Sequence, residues 1–203
     1  MLHDRIAELL ALTFDLKQIA HPDGPPSTEI TRRIRASTCR PTVEAISWHA
    51  AWATWCLPNE YEVLPGWHPC ALESAIADHA IYKDMNTPGS RHQLMLEQMF
   101  GAEPHVPDKY IEPLWDNFCI LSDGSDGGCG IGAQGTSYRG RVVVRAIHAP
   151  WEIGFQSLDK LIDTAIAHRK ARIWDAEGGI DWGMSRDIAR AINPECSYWN
   201  HDG

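Results

Sequence analysis

Apolar residues recur at helical spacing from the start of the chain. Leu2, Ile6, Leu9, Leu10 and Thr13 share one face over residues 2–13, which predicts an amphipathic first helix. His21-Pro-Asp-Gly-Pro-Pro26 stops it, because successive prolines remove backbone donors and hold the chain extended. Ser27 or Thr28 is placed to cap a second helix through about Ala36, with Glu29 in its first turn. After Pro41 the spacing predicts a third helix over 42–54, with Val43, Ile46, Ala50 and Ala53 on one stripe. Trp48, Trp52 and Trp55 lie on the same segment and read as core. Residues 70–85 predict a helix with Leu72, Ala75, Ile76, His79 and Ala80 inward. Ser90 with Gln93 forms a capping box for a further helix that ends at Gly101, and residues 101–113 read as a surface loop.

The texture then changes. Phe118 to Leu121 and Arg141 to Ile147 are β-branched or aromatic runs separated by glycine-rich turns, so they predict antiparallel strands, with Ile131-Gly-Ala-Gln-Gly135 as a short middle strand. Ser157 caps a helix that carries Leu158, Leu161, Ile162, Ala165 and Ile166 on one face. Asp159 opens that helix and His168, Arg169, Lys170 and Arg172 close it, in the sense the helix dipole favours. A last helix, capped by Ser185, runs to Ile192 and stops at Asn193-Pro194. Helices, then a small sheet, then helices again make an α+β arrangement, read as a single domain over 1–203.

Composition narrows the classes. The chain has 203 residues, 44% hydrophobic and 22% charged, which suits one domain with a sizeable core. No apolar run reaches the roughly eighteen residues of a transmembrane helix, and the opening MLHDRIAELLALTFDL has neither the basic flank nor the long apolar core of a secretory signal. Six cysteines without a CxxC read as buried reduced thiols. The expected compartment is therefore the cytoplasm. A net charge of −9 argues against nucleic acid or an anionic membrane as direct ligand and is compatible with a basic protein partner.

Candidate chemistry centres on CILSDGSDGGCGIG, residues 119–132. A phosphate loop needs a following helix and a Lys-Ser/Thr pair, and neither is present. A calcium loop needs a completed run of oxygen ligands, which Asp123, Ser125 and Asp126 only begin. A hairpin whose glycines permit positive φ accounts for the stretch better. The ten histidines form no HExxH or HxH spacing, and no GxSxG elbow or activated cysteine occurs, so neither metal nor catalytic residues are expected. Trp115 and Trp151, beside turns at the two ends of the strand region, read either as lids on the core or as exposed anchors.

The order of these pieces resembles the SUKH superfamily, the Smi/Knr-like fold of bacterial toxin-immunity proteins and fungal cell-wall regulators. ISWHA (46–50) looks like its aromatic-Trp-His element and VLPGWHPCALESAIADH (63–79) like its PG-aromatic-to-helix segment. LWDNFCILSDGSDGGCGIG (114–132) is similar to its strand and hairpin, and GRVVVRAIHAPWEIGFQSLDKLIDTAI (140–166) to its strand-to-helix unit. Ala50 and Ala51 stand where the family carries an acid and a glycine, and Cys119 stands in place of a proline. The resemblance implies a SUKH-like fold with a small antiparallel sheet against several helices. It also implies a non-catalytic, cofactor-free protein that binds a cognate toxin, a nuclease or deaminase, and occludes its active site. The partner-binding residues expected on that basis are Glu103, Asp108, Glu112, Trp115, Asp116, Asp123, Asp126 and Trp151; for each acid the alternative is simple solvation of a loop. The rival readings are a regulatory or scaffolding SUKH-like protein without a toxin partner, and a small hydrolase using Asp and His residues.

Overall fold

The computed structural model describes residues 2–20, 25–37, 42–85, 94, 118–122, 128–132, 138–145, 152–174 and 179–200. Helix α1 (Leu2–Ala11) buries Ile6, Leu9 and Leu10, and Thr13 lies exposed beyond its end. Asp15 then caps a short helix α2 (Leu16–Ile19) by accepting the Lys17 amide, an element the periodicity does not reveal. In α3 (Ser27–Ala36) neither Ser27 nor Thr28 is the cap. Pro26 holds that position in extended backbone, so Ser27 is already helical and its carbonyl accepts from the Thr31 hydroxyl.

Helix α4 (Val43–Trp52) is capped by Thr42, and of the predicted stripe Ile46, Ala50 and Ala53 reach the core only partly buried. Ala45, Trp48, His49, Ala51 and Trp52 are buried, while Val43 is 72% exposed. An indole removes far more apolar area from water than a Val or Ala side chain, so the helix turns its tryptophans inward. Trp55, past the helix end, is only partly buried.

The sheet has five antiparallel strands in chain order: β1 (His68–Pro69), β2 (Phe118–Ser122), β3 (Gly128–Ile131), β4 (Val142–Arg145) and β5 (Glu152–Phe155). Strand β3 begins before the predicted middle strand, because glycines that read as turn residues are paired in the ladder. Gly128 and Gly130 share one face and present no side chain there, so neighbouring groups can approach the backbone closely. The run Val142-Val-Val is buried at every position, the pattern of a strand covered on both faces. Strand β5 is a further element that the sequence reading did not predict.

Two strands carry bulges, and both are finished in the same way. The register of β2 on β3 shifts between Cys119 and Leu121, and the carbonyl of the intervening Ile120 accepts from the Trp48 indole at 3.1 Å and the Cys70 amide at 3.0 Å. The register of β4 on β5 shifts at Gly154, whose carbonyl accepts from the Trp199 indole at 2.6 Å. A bulge takes a residue out of the ladder, and in a covered sheet its carbonyl needs another donor. At each bulge one donor is the indole of a tryptophan that also fills the core or its edge, and at Ile120 the Cys70 amide joins it. Gly154 cannot carry a side chain without adjustment, since a Cβ there would lie 2.1 Å from Val144 Cγ2.

Helix α5 (Leu72–Met85) buries Ala75 and His79, but Ala80 is exposed. Helix α6 (Leu158–Ala171) is capped by Ser157 as predicted, with Lys160 N donating at 3.2 Å, and it buries its whole expected apolar face. Helix α7 (Trp182–Ile192) starts earlier than predicted: Asp181, not Ser185, is its cap, accepting from the Met184 amide at 2.9 Å. Ser185 lies inside the helix, buried against His168. A 3₁₀ turn (Ser197–Trp199) follows and packs on β5. Helix α1 packs on both α4 and α6, while α4 and α5 lie on β2. One hydrophobic cluster joins residues from Ile6 to Ile166.

The molecule is thus α+β, with a small antiparallel sheet packed against helices. Among the described residues no helix is long and apolar enough to cross a membrane. Cys70, Cys129 and Cys196 are buried free thiols as expected, whereas Cys56 is exposed. The predicted helix from Ser90 to Gly101 and the loop 101–113 lie outside the described residues.

Candidate interaction surface

Strand β2 and the segments packed on it form the best-built region. Cys70 N and the Trp48 indole reach the same carbonyl, so α4 and the chain after β1 are tied to one point of the sheet. Before β1, Leu64-Pro-Gly-Trp67 makes a tight turn in which Trp67 N donates to Leu64 O at 2.8 Å. Gly66 occupies the left-handed region there (φ +74°), which explains a glycine at this position. The turn sends His68 into β1, where its Nδ1 lies 3.2 Å from Tyr61 O.

Between α3, α4 and the start of α5 lies a cleft of about 400 Å³ lined by Ile30, Arg33, His49, Trp52, His68 and Cys70, among others. Arg33 crosses its mouth to Glu73 at 2.6 Å and holds that carboxyl below the usual carboxylate range. The Cys70 thiol contacts its neighbour's carbonyl, Ala71 O, at 3.6 Å. Two imidazoles stand in the same cleft: His68 turns its Nδ1 to Tyr61 O, and His49 is buried in the wall. Among the described residues no group of three or more His, Cys, Asp or Glu side chains converges as a metal site would require.

A second cleft, of about 820 Å³, is lined by Arg5, Glu44, Arg139, Arg141, Asp159 and Asp163, with Ser157 at the α6 cap. Arg5 pairs with Glu8 and with Asp163. The Oε2 of Glu44 is buried without a hydrogen-bond partner. This surface carries charges of both signs.

The eight residues predicted to contact a partner all lie outside the described residues. Glu103, Asp108, Glu112, Trp115 and Asp116 precede β2 in the chain, Asp123 and Asp126 fall in the connection from β2 to β3, and Trp151 immediately precedes β5. Strands β2 and β3 pair antiparallel, with Ser122 opposite Gly128, and the residues 123–127 that join them lie outside the described residues. What sequence reasoning missed is a cluster of other aromatic residues, Trp67, Trp182, Tyr198 and Trp199, gathered at one cleft. The available signal was Trp182 and Met184 at the polar-rich start of a helix, where burial does not account for them. Comparisons of this chain with known protein families, with curated proteins and with solved structures found no match.

Proposed function

We propose that this chain is an immunity protein of the SUKH type, which binds a cognate toxin, a nuclease or deaminase, and occludes its active site. One observation carries the reading. Three of the segments on which the resemblance rests meet at the Ile120 bulge or the strand beside it: Trp48 from ISWHA, Cys70 from PGWHPC, and β2 with β3 from the hairpin stretch. The fourth, β4 through α6, continues the same sheet. The acidic balance of −9 favours a basic partner such as a nucleic-acid-acting enzyme, whose approach it would steer.

The test is co-expression with the product of the neighbouring toxin gene. Growth should be restored, and the two proteins should co-purify as a stable complex. Undiminished toxicity together with no complex would overturn the proposal. An absent toxin gene with a constitutive cellular partner would favour a regulatory or scaffolding role instead.

A further inference from the structure

Trp67, Trp182, Tyr198 and Trp199 come from three separate parts of the chain and line one cleft of about 410 Å³, with Leu64 and Pro65 in its wall. Its floor is held in place. Trp199 donates from its indole to Gly154 O, meets Phe155 at 5.4 Å and stands perpendicular to Tyr198 at 4.7 Å. Arg190 Nε donates to Trp199 O at 3.1 Å.

The rim is different. Trp182 is 61% exposed and Met184 44%, although both sit in the first turn of α7, where Asp181 alone supplies the cap. One turn along, exposed Arg186 lines the same cleft and makes no hydrogen bond or ion pair among the described residues. The acid in the cleft, Glu152, already accepts from Ser197 Oγ at 2.8 Å. The other acids on α7 and its cap are Asp181, which is engaged by the Met184 amide, and Asp187; neither lines the cleft. Among the described residues that line this cleft, Arg186 is the charged side chain with no hydrogen bond or ion pair, while Glu152 keeps its charge and holds the Ser197 hydroxyl.

An exposed tryptophan beside an unpaired arginine, over a preformed apolar floor, is the make-up of an interface hot spot. A floor already ordered in the free protein lowers the entropy lost on binding. We infer that this cleft docks a partner protein through an apolar or aromatic side chain closely followed by a carboxylate, with Trp182 packing on the first and Arg186 receiving the second. The inference rests on the toxin-binding reading for the identity of the partner, and on the cleft itself for the chemistry of the anchor.

Two measurements test it. In the first, the intact chain with ¹⁵N-labelled tryptophan is titrated with two capped pentapeptides, Ala-Leu-Trp-Glu-Ala and Ala-Leu-Trp-Lys-Ala. The Glu peptide should shift the Trp182 indole resonance, assigned with Trp182→Phe, and bind at least about fivefold more tightly than the Lys peptide. Arg186→Glu should reverse that preference. No shift, or a preference that Arg186→Glu leaves unchanged, overturns the inference. In the second, Trp182→Ala and Arg186→Glu, both exposed positions, should each weaken capture of the toxin by about tenfold or more. If the wild-type chain captures the toxin and both variants do so equally well, the cleft is not its docking site. If the peptides behave as expected while the wild-type chain captures no toxin, the cleft stands and the toxin reading falls.

Discussion

His168 is 1% exposed on α6, and its Nε2 lies 3.0 Å from Ser185 O on α7. A carbonyl can only accept, so Nε2 carries the proton, while Nδ1 is buried with no hydrogen-bond partner. Trp174 meets the ring edge-on at 6.4 Å. A second proton would place a charge in this apolar setting. Burial is the main cause that pulls the imidazole below its ordinary 6.5, the Ser185 carbonyl partly opposes it, and Arg169 adds to it. Between 6.5 and the depressed native value the unfolded chain binds more protons than the folded one. Stability therefore falls as pH drops through that window. Glu73 acts lower: Arg33 depresses its carboxyl, so its contribution is present above its ordinary 4.5 and is lost as pH falls through the native value. Urea midpoints measured from pH 8 to 5 should decline from about 6.5 downward. His168→Gln should be less stable at neutral pH but flatter over this range, and an unchanged slope in that variant would show that another group is responsible.

At the level of elements, α6 was legible because each local signal agreed: a Ser cap, an acid in the first turn, bases in the last, and an apolar face at helical spacing. The start of α7 was not. Asp181 and Ser185 are both competent caps, and the periodicity of the following residues fits either. Residues 182–184 could be seen as helix only from the fold, which also buries Ser185 against His168. Asp181→Ala should cost about 1 kcal/mol in denaturant unfolding, because the first-turn amides lose their acceptor. Ser185→Ala should cost less than Asp181→Ala, since the substitution keeps the backbone carbonyl that His168 contacts at 3.0 Å and removes only the longer 3.5 Å contact of the Ser185 hydroxyl with the ring. Equal losses would return the cap to Ser185. The α4 stripe held only in part, with Ile46, Ala50 and Ala53 partly buried and Val43 exposed, for a different reason. Small and β-branched residues at helical spacing mark a face only when no larger apolar residue competes, and here Trp48 and Trp52 do.

For the whole molecule the governing quantity is its charge. The exposed ion pairs that link α1 to α6, Arg5–Asp163 and Lys170–Glu8, are each worth at most about 1 kcal/mol and do not hold the fold. The excess of acids bears on association instead. Reversing Asp123 and Asp126 to lysine should slow capture of a basic toxin about tenfold at low salt and reduce its salt dependence, with little change in dissociation. Stopped-flow association at two ionic strengths checks this. An unchanged rate would move the steering surface away from the β2–β3 connection.

The chain's own pattern was enough for the α+β class, the antiparallel strands flanking Asp123 and Asp126, the Ser157 helix and the acidic balance. These are local or additive properties: spacing, caps, turn residues and charge sum from near neighbours. Tertiary structure alone decided that Val43 on α4 stays exposed, that glycines form β3, and that the Ile120 and Gly154 carbonyls are each finished by a distant indole. It also gathered Trp67, Trp182, Tyr198 and Trp199 around one cleft. Their separation reaches from residue 67 to residue 199, and no period or motif records a contact over that span. Burial is shared among all the apolar residues of a chain, so where each one goes depends on what the others leave uncovered.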